Sequence, residues 1–212
     1  MSAFTDPHTF LRTRRSIRRF QPDPIAGEVI ARILATAAHA PSAHNLQPWR
    51  FVIVGQALAP DASAADAIPL RAPRALLAQA LISSLRADMT SAGAPESEIE
   101  QRIATSLRRI EEAPVIILLC RDRAAVRADT TEEQIMSIQS AAAAGTYLLL
   151  AAHAEGLGAN WICWPLYAQE ETRKALELPE SWEPQAMYFV GVAGEEAKGK
   201  GVKPIEQVTK VL

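Results

Sequence analysis

One segment limits the architecture of this chain more than any other. Thr131-Glu132-Glu133-Gln134 has the form of a capping box, and Gly156 and Gly158 stand where a helix would stop. A helix from there to Glu155 would be about 37 Å long at 1.5 Å per residue. It is apolar nearly all round, so it is expected to be a buried central helix with the other elements packed about it. Its most apolar run, Ala141–Ala152, contains Gly145, Thr146 and Tyr147 and is bounded by Gln139 and His153. That reads as too short and too polar to span a bilayer.

Other elements follow from local signals. Asp6-Pro7 starts a short helix that runs to about Thr13. Residues 27–40 carry Val29, Ile30, Ile33, Leu34, Ala37 and Ala38 on one stripe, an amphipathic helix ended by Pro41. Strands are expected at 49–54, 115–119, 159–163 and 187–192, and helices near 73–90, 96–112 and 168–177. Residues 57–72 read as a loop. The interleaving is irregular and no repeat is visible, so the expected class is α+β, a layered sandwich.

With 212 residues, 49% of them hydrophobic, the chain can build one full core, and nothing in it reads as a linker. A net charge of -2 supplies no overall field for nucleic acid. The cluster Arg14, Arg15, Arg18 and Arg19 is therefore local and calls for a local partner. Cys120 and Cys163 are far apart and fit no metal or redox spacing, which suits a reducing cytoplasm. His39 and His44 have no carboxylate or thiol to complete a metal set. Gly156-Leu157-Gly158 lacks the third glycine of a dinucleotide fingerprint.

Two stretches carry chemistry. Arg14, Arg15, Ser16 and Arg18 offer guanidinium forks and a hydroxyl within five residues, a donor set suited to a phosphate. A solvated basic turn is the alternative. If the segment is extended, residues 14, 16 and 18 share a face and Ile17 anchors in the core. The second stretch is Pro41-Ser42-Ala43-His44-Asn45-Leu46-Gln47-Pro48-Trp49, a loop between a helix end and a strand start. Its Asn45 and Gln47 amides can pair with the donor and acceptor edge of a pyrimidine-like ring, although turn formers alone would give a similar composition.

Both stretches resemble the N-terminal signature of the nitroreductase family of FMN flavoproteins. Gly156-Leu157-Gly158-Ala159-Asn160-Trp161-Ile162, Trp182-Glu183-Pro184 with Tyr188-Phe189-Val190-Gly191, and Lys203-Pro204-Ile205-Glu206 resemble later parts of that family in the same order. The resemblance implies an α/β/α sandwich, with a mixed, mainly antiparallel sheet around the central helix. It implies one flavin domain over 1–212, with 57–112 as a variable substrate-side insertion and 194–212 as a C-terminal arm.

It also implies a homodimer with FMN at the interface. Arg14, Arg15, Ser16 and Arg18 would contact the phosphate, ribityl chain and ring edge. Ser42, Ala43 and His44 would come from the partner subunit, with Asn45 or Gln47 reaching the ring, and Pro41 would be a further cofactor-binding residue. Ile162, Cys163 and Trp164 would pass the redox-active face, and Lys200 and Lys203 would close on the phosphate.

The implied activity is hydride transfer from NAD(P)H through FMN to a small conjugated, nitro or quinone acceptor, with no side chain obligatory as acid or base. Trp164 stands where the family often has a small residue, which raises a second reading: a flavin-binding or sequestering protein without fast turnover. A narrower likeness, to the flavin domain of deazaflavin (coenzyme F420) biosynthesis proteins, points to a deazaflavin precursor as acceptor.

Overall fold

The computed structural model describes residues 6–54, 67–197, 199 and 201–212, with residues 67–71 described by backbone alone. Helices α1 (Pro7–Thr13) and α2 (Gly27–Ala37) precede strand β1 (Trp49–Val54). Helices α3 (Ala67–Ser91) and α4 (Glu96–Glu112) lead to β2 (Val115–Asp122), and α5 (Thr131–Ala154) leads to β3 (Gly158–Ile162). Helix α6 (Gln169–Ala175) and strand β4 (Trp182–Gly191) complete the layers.

The strands form one antiparallel sheet in the order β1-β2-β4-β3. Strand alternation sends Val115, Ile117, Leu119, Tyr188 and Val190 into a core with α2 and α5. Their neighbours Ile116, Leu118, Cys120, Met187 and Phe189 enter a second core with α3 and α4. The expected α/β/α layering is therefore present, with α5 lying on one face of the sheet. Pro184, which has no N–H for the ladder, sits beside a bulge: Leu119 pairs with Ala186 and Cys120 with Pro184. That bulge lets β4 begin at Trp182, five residues before the expected start.

Several local expectations need correction. The cap of α5 is Thr130, one residue earlier than expected, whose side chain accepts from the Glu133 amide at 3.3 Å, while the Glu133 carboxylate accepts from the Arg127 amide at 3.3 Å. Helix α3 starts at Ala67, six residues early, and carries Pro73 in its interior. A proline there forfeits one backbone hydrogen bond. Arg74 helps hold this turn against the sheet by donating to the carbonyls of Ala113 (2.7 Å) and Pro114 (2.8 Å).

Helix α5 is long and apolar enough, by length and composition, to cross a membrane. Its length therefore does not argue against a span; its packing on β2, β3 and α2 identifies it as a core helix of this fold. It is also not buried all round. Ala141, Ala144, Leu148 and Ala152 face the sheet side, while Ile135, Ile138 and Tyr147 remain 48%, 41% and 37% exposed. Gly156, at φ 76°, ends the helix in the left-handed region, with the Leu157 amide bonded back to the Ala152 carbonyl at 2.9 Å.

Candidate functional site

The basic segment is seated on the sheet edge. The Ile17 amide donates to the Ala159 carbonyl at 3.1 Å, and Ser16 bridges Ala159 in parallel register. Ile17 is buried against Gly158, where a β-carbon would lie 2.8 Å from that of Ile17. Gly158 thus serves close approach as well as the helix stop read from the sequence. With Ile17 turned inward, Ser16 and Arg18 face outward.

These residues line a cleft of about 1070 Å³. Among the described residues, seven arginines (12, 14, 15, 18, 19, 108 and 109) line it, against three glutamates (112, 195 and 196). Arg14 Nη1 is shielded from solvent and has no partner among the described residues. A buried guanidinium nitrogen without an acceptor is costly, so an anion placed there would relieve it. Arg15 is differently occupied, donating to the carbonyls of Arg12 and Arg14. The Arg18 amide donates to Glu195 Oε1 at 2.8 Å, which leaves its guanidinium at the cleft. Gly201 and Val202 reach the cleft wall; Lys203 follows on an exposed arm and does not line it. Lys200 lies outside the described residues.

A second cavity of about 400 Å³ adjoins the cleft through Arg18 and Arg109, which line both. Ile162, Cys163 and Trp164 line it as expected for a ring-side wall, together with Met187 and Phe189. Asn160 lines the same space while only 5% exposed, and its Oδ1 has no donor among the described residues. The indole N–H of Trp164 is also buried and unpaired. Sequence analysis gave residues 57–112 to the substrate side but singled out no side chain of α4. Arg102, Ser106 and Arg109 recur at i, i+4 and i+7 along one border of the stripe made by Ile99, Ile103 and Ile110, about 70° around the helix from its centre, a spacing legible in advance.

The loop after α2 lies elsewhere. Pro41, His44, Asn45 and Gln47 are exposed, while Ser42 and Ala43 are partly buried. His44, Asn45 and Gln47 all have positive φ, at 52°, 56° and 48°. Backbone strain of this kind persists only when bonds over-determine it. Here the Gln47 amide donates to Ser42 Oγ at 3.1 Å, and Gln47 Nε2 to Asn45 Oδ1 at 3.1 Å. The His44 ring lies 3.2 Å from Arg127 and 3.7 Å from Glu133. The Ala43 amide fastens the loop to Ser140 Oγ at 3.1 Å, whereas Thr13 Oγ1 lies 3.3 Å from His153, thirteen residues farther along α5. At 1.5 Å per residue the loop and the arginine cleft are about 20 Å apart along one helix. In one chain the structure keeps them separate.

The order of these parts, and the arginine cleft opening onto β3, can be compared with known proteins. The nitroreductase family model matches residues 11–192. The chain belongs to the nitroreductase family. A 5,6-dimethylbenzimidazole synthase of Rhodospirillum rubrum is 31% identical over 186 residues, covering 86% of this chain and 80% of that one. An NADH dehydrogenase of Thermus thermophilus is 30% identical over 232 aligned positions, covering 96% and 94%. A Desulfovibrio desulfuricans structure described as a nitroreductase in complex with FMN is 26% identical, with a TM-score of 0.70 and coverage of 97% and 96%. These relatives support the nitroreductase assignment; the narrower likeness to F420 biosynthesis proteins is not what they carry.

Proposed function

We propose that this nitroreductase-family chain is an FMN-dependent oxidoreductase. It would take two electrons from NAD(P)H or a similar donor and pass them to a small conjugated, nitro or quinone acceptor that enters the same pocket in turn. FMN, when bound, supplies the two-electron exchange. The observation that carries the reading is the partnerless buried Arg14 nitrogen in an arginine-lined cleft that opens, past Arg18 and Arg109, onto the aromatic cavity.

The chain's own residues have binding and shaping roles. Arg14, with Ser16 beside it, would hold the phosphate. Arg18 and Arg109 stand where a ring edge would pass, and their charge would favour an anionic ring. Ile162, Cys163 and Trp164 would form the wall along the ring, with Trp164 keeping water from one side. Lys203 and Lys200, on the C-terminal arm, would close on the phosphate only if that arm moves inward or is drawn there by a second subunit.

The separation of the two half-sites supports a homodimer. A two-fold axis across the uncovered face of α5 would run two copies of the helix antiparallel. The end bearing Ser42 of the partner subunit would then lie beside Arg14. Ile135, Ile138 and Tyr147 supply an apolar face for that contact, and Val202, Ile205, Val208, Val211 and Leu212 give the exposed arm an apolar stripe of its own. Two free cysteines suit a reducing, cytoplasmic setting.

The test begins with purification. Yellow protein that retains or rebinds FMN, and oxidises NAD(P)H with a quinone or nitroaromatic, meets the expectation; colourless protein that cannot rebind FMN overturns it. Flavin that reduces but passes electrons to no acceptor would select the sequestering alternative. Arg14→Ala should weaken FMN binding by about ten- to a hundredfold, the range for losing one charged hydrogen bond.

The 31% identity to a 5,6-dimethylbenzimidazole synthase favours one further reading, formation of that product. Its chromatographic detection after aerobic incubation of the FMN-loaded protein with NAD(P)H would select it. The deazaflavin acceptor rests on the narrower resemblance alone.

A further inference from the structure

We propose that Asn160 reads the pyrimidine edge of the flavin, its Oδ1 accepting a hydrogen bond from the ring's N3–H. The proposal rests on the FMN reading above and assigns one further residue to that same site.

The starting point is an unmet buried atom. Asn160 is 5% exposed, and its Oδ1 has no donor among the described residues. It stands opposite Phe189 in the ladder of β3 and β4, and strand alternation puts it on the same face as Ile162. Phe189, Ile162 and Met187 line the ring cavity with it. On such an apolar face a leucine would pack as well, and the amide carbonyl is costly until a donor reaches it. The indole N–H groups of Trp161 and Trp164, which line the same cavity, are also buried without an acceptor among the described residues. The cavity therefore holds an unmet acceptor and unmet donors together. An oxidised flavin ring offers the converse set, with its N–H at N3 and acceptors at both carbonyl oxygens, N1 and N5.

Position favours N3–H over the other donors that FMN carries. Asn160 lines the ring cavity but not the arginine cleft, so it meets the ring and not the hydroxyl chain leading from the phosphate. Ser16 bridges Ala159 in parallel register, which brings Asn160 level with Ile17 and one residue from Arg18. Arg18 is the side chain placed above at the ring edge where negative charge would collect. In a flavin that charge lies at N1 and the C2 carbonyl, and N3–H is the next atom round. A guanidinium on the carbonyl and an amide oxygen on the adjacent N–H would complete one edge.

The test titrates FMN and 3-methyl-FMN, which differ only in whether N3 carries hydrogen or a methyl group, into the full chain stripped of flavin. The wild type should bind FMN at least about tenfold more tightly. The methyl also adds bulk, so the preference is compared with that of Asn160→Leu and Asn160→Asp, whose side chains branch where asparagine's does. Asn160→Leu should bind FMN about tenfold more weakly and lose most of the preference, and Asn160→Asp, which keeps an acceptor, should retain it. Flavin-free Asn160→Leu should melt no lower than the wild type, because an unmet buried group has gone; an asparagine kept for structure alone would give a lower melting temperature. Equal binding of the two flavins by the wild type, or a preference that survives in Asn160→Leu, would overturn the assignment. So would an equal loss for both flavins in Asn160→Leu, the result for a ribityl hydroxyl or for a turned amide donating to a ring carbonyl. Protein that binds neither flavin defeats the FMN reading itself, and this proposal with it.

Discussion

Tyr188 lies so close to Gly145 that a β-carbon at 145 would stand 1.9 Å from the Tyr188 hydroxyl and 2.9 Å from its ring. The contact joins the middle of α5 to the middle of β4 beneath the candidate site. The same ring packs on Trp161 at 5.3 Å. Its hydroxyl is buried without a partner among the described residues, and burial holds the phenol well above its usual range.

Gly145→Ala should therefore destabilise the protein by about 1–3 kcal/mol, as overpacking does. Tyr188→Phe removes both the clashing oxygen and an unsatisfied buried group, so alone it should be neutral or stabilising. The double variant should recover part of the loss. Chemical denaturation of all four proteins checks this, and strict additivity would contradict the contact.

Ile138→Asp places a charge on the uncovered face of α5 without touching the arginine cleft. If two copies share that face, the variant should sediment as a monomer and lose FMN at the same time. A monomer that keeps FMN at wild-type affinity would show that one chain suffices for the site.

The two cysteines should differ in reactivity. Cys120 is buried in the sheet, and burial, with Glu183 nearby, pushes its thiol up to about 12. Cys163 is exposed at the cavity. Iodoacetamide should label Cys163 alone in the folded FMN-free protein, and FMN should slow that labelling by about tenfold or more if it occupies the adjoining space. Mass spectrometry of the labelled peptides reads both outcomes.

His153 gives a pH dependence of known sign. Burial and then the charge of Arg14 hold its imidazole below the ordinary value of 6.5. The unfolded chain takes up the proton more readily than the folded one. Stability from this group is therefore present above 6.5 and is lost as pH falls below it. Between about pH 7.5 and about pH 5.5 the wild type should lose more melting temperature than His153→Gln.

Most of the element order was legible because hydrophobic period and turn residues act locally. Val115–Leu119 and Trp49–Val54 are strands where the pattern put them. What was hidden depends on what lies across space. Arg102 and Arg109 look like any solvated helix face until β3 is seen opposite. Asn160 looks like one more strand residue until its carbonyl is found without a donor. The exposed side of α5 read as core because a sequence does not distinguish an apolar helix buried all round from one that leaves part of its apolar surface exposed. The arginine cluster was the reverse case, since short spacing alone brought its donors together on one edge.

One helix carries the fastening points of both half-sites, Ser140 for the loop and His153 for the basic segment. That makes α5 a gauge as much as a scaffold. Inserting one residue between these points would slide one fastening by about 1.5 Å and swing it by about 100° around the axis. Substitutions that keep size and polarity along α5 should be absorbed, whereas changes in its residue count should not. In a two-fold pair the error would be imposed on both sites at once.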